Sequence, residues 1–422
     1  MRTYTILLNL LGCRIFTKLY RNRLNNLSQR IIGARLSTEK NAESVKNINL
    51  APEPRKIHAA VLKEFSIPLV IENLKPPKKV QHSEVLIDVY YCALNASDIL
   101  LSKNLYIFEP KLPTVLGYEV VGKLIEVGTE AEKKGFTVGD KVIALNKDRF
   151  GGLAERCLAE VGVEYDIWKI SSELKFIDAV SILDNYITAL VALETKVNLD
   201  ENDLILINVG ISGIGLAAVD LATNVFRAKV IGVCATEDGA NLVREKGAFT
   251  SLKYKSKKLL KQIEEIAAER DIKAIFDDID GEYFKKMLDC FTNVYKDATL
   301  KELLRDDNFA VVVHHLSREG RVIIAGTATT ITDAHSEVQK SSFSVSGFSL
   351  TEYRKKMPDV YRQAGDEILQ FLEEGLITPS CSLIVGLHKI NDAFQFVSES
   401  KSSGKVVIDI RNKEANVIKV KN

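Results

Sequence analysis

The sequence predicts an α/β chain in which a doubly wound parallel sheet is inserted into a β-rich unit that the C-terminal segment then completes. Three observations predict it. Residues 57–170 read as short strands broken by turns, about 172–350 alternate strand with helix, and the chain after 351 gives two amphipathic helices and a last strand. The implied division is a basic leader over 1–47, a β-rich substrate or catalytic unit over 48–175, a dinucleotide-type unit over 176–350 and a return segment over 351–422.

The leader differs in composition from everything after it. Met1 to Thr38 carries no acidic residue, while Arg2, Arg14, Lys18, Arg21, Arg23, Arg30 and Arg35 recur among Leu, Ile and Phe. An Arg-rich, acid-free amphipathic stretch is what organelle import needs, so mitochondrial localisation is the expectation. A secretory core in "TILLNLLGC", or lipid attachment at Cys13, fits less well because basic residues continue far beyond it. The alternative is an uncleaved basic tail on a cytoplasmic protein. Cleavage near residue 47 would move the formal charge from +1 to about −6, which argues against nucleic acid as the main partner.

In the β-rich unit, "EVLIDVYYCAL", "YEVVGKLIEVG" and "DKVIALN" are strand-like and separated by glycine turns. From there "DLILINVG" leads into "GIGLAAVDLATNVF", "KVIGVCA" into "GANLVREKG", and "FTSLKY" into "KSKKLLKQIEEIAAE". "KAIFDDI", "RVIIAG" and "FSVSGF" supply further strands. Parallel strands need crossovers, so this alternation implies helices on both faces of one sheet. "AGDEILQFLEEG" and "KINDAF" are helical, and "KVVIDI" closes the chain.

Composition excludes several classes. The six cysteines never pair at short spacing, so neither a C-x-x-C redox pair nor a thiolate zinc cluster can be drawn. His314 and His315 would point to opposite faces of a strand, and no metal site is expected. No run of eighteen apolar residues suggests a membrane span.

Three glycines, Gly210, Gly213 and Gly215, follow the strand Leu204 to Val209 in "NVGISGIG". Glycine there lets backbone approach phosphate oxygens at a helix start, where the dipole favours negative charge. Gly210, Ser212, Gly213, Ile214 and Gly215 are therefore expected to cradle the cofactor; the bland reading is a tight strand-to-helix turn. An NAD site usually has a carboxylate at the end of the second strand for the ribose 2′-hydroxyl. Here Cys234, Ala235 and Thr236 stand there, which leaves room for a 2′-phosphate and favours NADPH, with Thr236 as a contact. Glu237 and Asp238 either oppose that reading or start the next helix, where the dipole favours them.

Together these residues resemble the medium-chain dehydrogenase/reductase superfamily, and within it the quinone oxidoreductase group, from about 57 to 410. "LPTVLGYEVVGKLIEVGTEAEKKGFTVGDKVIAL" is similar to the group's signature through Gly117, Glu119, Gly122, Gly128, Gly139 and Asp140. "CALNASDILL" matches its Asn-x-x-Asp element through Asn95 and Asp98, while "ITALVAL" and "SGKVVI" also fit. The resemblance implies a Rossmann cofactor domain inserted in a GroES-like catalytic domain, a small electrophilic substrate and a homodimer. Zinc-dependent members place Cys and His where this chain has Asn95 and Tyr118, so a zinc-independent enzyme is implied. Ser212 stands in a loop that usually reads A-x-G-G-x-G, and Gly239 where a lysine commonly holds the 2′-phosphate. Tyr254, flanked by Lys253 and Lys255, matches a tyrosine that touches that phosphate.

The implied chemistry is hydride transfer from NADPH to quinones or α,β-unsaturated carbonyls. Tyr106 is the candidate proton donor, eleven residues after Asn95, an offset shared with mitochondrial enoyl-thioester reductases. Asn95 is expected to polarise a carbonyl or hold the nicotinamide ribose, although "NASDILL" also reads as a helix start. Tyr186 and Thr188 are expected at the nicotinamide end, and Asp277 at the end of the fourth strand. Two other readings remain: an enoyl-thioester reductase, and a dinucleotide-binding partner protein with little catalysis. The insertion near 291–310 has no functional account.

Overall fold

The computed structural model describes residues 55–412 except 78–79, 107–108, 163–165, 210–212, 254–255, 271, 278–315, 326–342 and 400–403. The leader, the insertion near 291–310 and the His314–His315 pair lie outside the described residues.

The first part of the chain gives strands β1 (Ile57–Leu62), β2 (Val70–Leu74), β3 (Glu84–Leu94), β4 (Thr114–Val115), β5 (Glu119–Val127), β6 (Lys141–Leu145), β7 (Arg156–Glu160) and β8 (Ile167–Lys169). The alternating part gives β9 (Leu204–Val209), β10 (Lys229–Cys234), β11 (Thr250–Lys253), β12 (Ile272–Asp277), β13 (Leu316–Ala325) and β14 (Phe343–Phe348). The return segment adds β15 (Cys381–Gly386) and β16 (Lys405–Asp409).

Strands β9 to β14 form one parallel sheet in the order β11-β10-β9-β12-β13-β14. The order runs outward in both directions from the boundary between β9 and β12, and such a reversal point is where doubly wound sheets bind ligands. Strand β9 is buried almost throughout, as expected of a strand covered on both faces. Its helix, Ile214–Asn224, packs on β9 and β10.

The β-rich unit closes differently. Its larger sheet runs β15-β16-β3-β5-β6-β8, with β7 also paired to β3 and a small sheet β2-β1-β4 beside it. Register Val407↔Ala93 and Ile408↔Cys92 sets β16 antiparallel to β3, so the end of the chain completes the sheet that its beginning started. The fully buried helix Leu183–Ala192 leads into the parallel sheet and packs on Ile214–Asn224 and on Pro358–Glu373.

Buried polar contacts fasten these parts together. Asp220 accepts from the Tyr186 hydroxyl (2.7 Å) and the Thr378 N–H (3.0 Å), and pairs with Lys246 (2.9 Å). Arg354 likewise pairs with Asp166 and Asp148, and Tyr361 donates to Asp166 at 2.9 Å. Unpaired, Asp220, Lys246, Arg354 and Asp166 would be costly to bury; Asp148 approaches Arg354 from the solvent side.

Candidate functional site

The glycine turn sits at the reversal point. Gly213 has φ +86, and a Cβ added there would meet the Asn185 side-chain nitrogen at 2.6 Å. Both the left-handed backbone and the crowding require glycine, whatever the loop binds. The helix Ile214–Asn224 begins immediately, with Ile214 and Gly215 buried in its first turn. Gly210 and Ser212 lie outside the described residues, as does Tyr254.

At the end of β10, Thr236 caps the next helix by accepting from the Gly239 N–H at 3.1 Å. Glu237 and Asp238 fall in that helix's first turn, the second of the two roles expected for them. Glu237 binds two cations: Arg244 at 3.1 Å, and Lys253, which register sets directly beside Cys234. Those two charges hold the exposed Glu237 carboxyl below its ordinary range, Lys253 first. Arg244 also donates to Ser251 at 2.6 Å. Gly239 has ordinary φ, and a Cβ there would lie 3.2 Å from the Thr236 hydroxyl, a tight but yielding contact.

A buried polar network occupies the junction between the β-rich unit and the parallel sheet. Asn95 caps the helix Ala96–Ser102, and its N–H donates to Asp98 at 3.0 Å. The other Asp98 oxygen accepts from the Gly117 N–H at 3.1 Å. Gly117 is left-handed at φ +82, and a Cβ would meet Cys92 Sγ at 2.7 Å, so only glycine turns the chain here to present Tyr118 and Glu119. The Asn95 amide donates to Glu119 (3.1 Å), and its oxygen accepts from Lys405 (2.6 Å). Lys405 also pairs with Glu119 at 2.8 Å. Thus Asn95 retains one amide N–H for anything further.

Glu119 reaches the next layer by accepting the Asp184 N–H at 3.1 Å. Asp184, at the first turn of Leu183–Ala192, accepts the Tyr118 hydroxyl at 2.7 Å. With that proton committed, the Ser97 hydroxyl 2.7 Å away must donate to the Tyr118 oxygen. The second Asp184 oxygen pairs with Lys147, which follows β6. The Lys147 ammonium also lies 5.0 Å from the Tyr118 ring centroid. Tyr106 is half-buried, shares a hydrogen bond with Thr351, and lies within the electrostatic reach of Lys147, Asp184 and Asp98.

Burial and neighbouring charge divide the titrating groups. Burial pushes Asp98 up to about 7 against the lowering effects of its two N–H bonds and of Lys405. Burial also pushes Asp184 up, but Lys147 and Lys405 outweigh it and hold the carboxyl below its ordinary range. For Lys147 burial favours the neutral amine, yet Asp184, Tyr106 and Glu119 together outweigh it and keep the ammonium above its usual range. Burial raises the Tyr106 phenol, and Lys147 opposes that rise.

The residues present do not suit a catalytic zinc. Asn95 has spent its oxygen on Lys405, Tyr118 is a protonated phenol raised well above its ordinary value by burial, and Asp184 already holds an ammonium. Among the described residues no group of three His, Cys, Asp or Glu side chains would hold a metal ion. Neither is any described helix long and apolar enough to cross a membrane.

Of the other expected contacts, the Tyr186 hydroxyl gives its proton to Asp220, and Thr188 donates to the Asp184 carbonyl at 2.6 Å. Both are buried, so their polar atoms support the junction. Asp277 ends β12 as expected. Lys147, Asp184 and Lys405 were not anticipated as site residues. "SGKVVI" held the one available signal for Lys405, a lysine opening an apolar strand.

Two family models match the chain: the alcohol dehydrogenase GroES-like domain over 81–166 and the zinc-binding dehydrogenase domain over 273–408. A quinone oxidoreductase-like protein 2 homolog of Nematostella vectensis is 30% identical over 362 residues, covering 85% of this chain and 91% of that one. Among solved structures, CurK enoyl reductase superposes with TM-score 0.67 at 20% identity, covering 84% of this chain and 99% of that one. A mycobacterial protein solved with NADPH gives TM-score 0.65 at 21% identity, covering 83% and 99%. These two structures share the fold.

Proposed function

Because the chain belongs to the medium-chain dehydrogenase/reductase superfamily, in its quinone oxidoreductase group, and is an oxidoreductase on that ground, we propose that it uses NADPH without zinc to reduce quinones or α,β-unsaturated carbonyls. The end of β10 carries the cofactor assignment. It has no carboxylate at Cys234, Ala235 or Thr236, while Arg244 and Lys253 gather beside it around Glu237. A 2′-phosphate would replace Glu237 as their partner and accept charge-assisted bonds from them. They substitute for the lysine that Gly239 lacks. Gly213, Ile214 and Gly215 would receive the pyrophosphate at the helix start.

Bound NADPH supplies the hydride; the protein orients the acceptor, excludes water and moves a proton. Tyr106 donates that proton, and Asn95 offers its remaining amide N–H to the substrate or the nicotinamide ribose. Parallel titrations with NADPH and NADH, followed by turnover with a panel of quinones and enones, test the reading. Equal affinity for both cofactors would remove the NADPH assignment, and no turnover across the panel would remove the substrate class.

Tyr106 also supports a second reading, reduction of an enoyl thioester, because its half-buried phenol lies within the electrostatic reach of the Lys147 ammonium. In that case Tyr106→Phe slows enoyl-thioester reduction by orders of magnitude. Homodimerisation through the edge strand β14 and mitochondrial import directed by residues 1–47 complete the proposal. Light scattering and organelle fractionation of the tagged full chain test these two.

A further inference from the structure

Lys147 is a buried lysine with an unusual set of neighbours. Its side chain is 14% exposed and that of Asp184 10%, so the pair is largely withdrawn from solvent. Asp184 accepts from one of its three N–H bonds, and among the described residues no other side chain accepts from this ammonium. Below it lies the face of Tyr118, whose hydroxyl is turned to the same Asp184. Two N–H bonds therefore remain on an ammonium whose partner is fixed to a helix start and whose position is set by packing. The Tyr106 phenol shares its electrostatic surroundings.

We propose that Lys147 is the electrophile of the reaction, donating from its ammonium to the substrate oxygen and stabilising the negative charge that develops there. The inference rests on the reductase reading above. When hydride reaches the electron-poor carbon, the π pair moves onto the carbonyl or quinone oxygen, which becomes an oxyanion. Lys147 holds that oxyanion while the Tyr106 O–H bond breaks and its proton passes to the substrate. The phenolate then recovers a proton from water. A preorganised cation in a largely dry site acts far more strongly than it would in water, because no solvent must reorganise as charge appears. Asp184 keeps Lys147 protonated without neutralising its free N–H bonds.

The test reads oxyanion stabilisation apart from turnover. The probe is 4-nitrophenol, whose absorbance reports its own ionisation, titrated into full-length protein with and without saturating NADP⁺. The wild type should bind it as the phenolate, with its apparent pKa lowered by about one unit or more. Lys147→Met should return that pKa to the free value and weaken binding about tenfold, while Lys147→Arg keeps most of the effect. In turnover, Lys147→Met should lower kcat by about 10²-fold with the KM for NADPH unchanged. Lys147→Met/Asp184→Asn, checked by circular dichroism, covers the case in which an unpaired Asp184 prevents folding. Undiminished phenolate binding in either Met variant overturns the proposal, and so does a wild type that binds no phenolate. If the wild type binds phenolate through Lys147 but neither binds nor consumes NADPH, the cofactor reading fails and the anion site stands.

Discussion

The Lys405 ammonium lies 2.8 Å from Glu119 Oε2, with the two side chains 3% and 0% exposed. It also holds the Asn95 oxygen, 310 residues earlier in the chain. The pair therefore ties the last strand to the turn that presents Tyr118. Lys405→Met leaves the buried Glu119 uncompensated and should cost about 3–5 kcal/mol, read by urea denaturation. Adding Glu119→Gln should recover part of that loss; a double variant no better than the single one would place the cost in packing instead.

Asp98 should make stability fall as pH rises. Its folded pKa of about 7 lies above the ordinary 3.8, so between these values the folded state holds a proton that the unfolded state has lost. The group's unfavourable contribution is absent below about pH 4, grows through that window and is complete above pH 7. Wild type should lose about 3 kcal/mol relative to Asp98→Asn between pH 5 and pH 8. A pH-independent difference would mean that Asp98 ionises normally.

Gly213→Ala places a Cβ against Asn185 in a left-handed backbone. The strain is on the order of 1–2 kcal/mol before the clash is counted. Calorimetric titration should show NADPH binding weakened by about tenfold or more, with the fold retained by circular dichroism. Relieving only the crowding, with Asn185→Ala, should restore little of the affinity.

Arg244→Ala/Lys253→Ala should reduce affinity for NADPH about tenfold or more and leave NADH binding nearly unchanged. Isothermal titration with both cofactors reads the ratio. A ratio that does not move would assign the 2′ group to other residues. Since the two side chains are 49% and 58% exposed, the fold should tolerate their loss.

The fold was legible because it follows from periodicity. Strand β9 is apolar but for Asn208, β1 begins a turn-rich β unit, and strand–helix alternation between 204 and 277 leaves few topologies. Gly213 was legible for the same reason, as was the helix start at Glu237 and Asp238, whereas Thr236, expected as a cofactor contact, is also that helix's cap. The polar junction was not. Lys147 follows the apolar strand β6 and reads as a solvated turn residue, and only the arrival of Asp184 from another element makes its burial tolerable. Tyr186 was expected at the cofactor, but its hydroxyl is claimed by Asp220, on a helix that the sequence could not orient. Charge pairs across distant segments depend on three-dimensional closure, which neither spacing nor propensity encodes.

The pairing of β16 with β3 has a consequence for how the protein is made. Domains emerging from the ribosome tend to fold in order, N-terminal first. Here the first sheet must wait with an unpaired flank on β3, and Glu119 without Lys405, until nearly the whole chain has been synthesised. The parallel sheet has no such dependence, since β9 to β14 are contiguous in sequence. Nascent chains should therefore acquire the dinucleotide-binding fold before the polar junction around Glu119 is complete. Translation arrested shortly before residue 405 would leave the β-rich unit in need of a chaperone to cover its open strand.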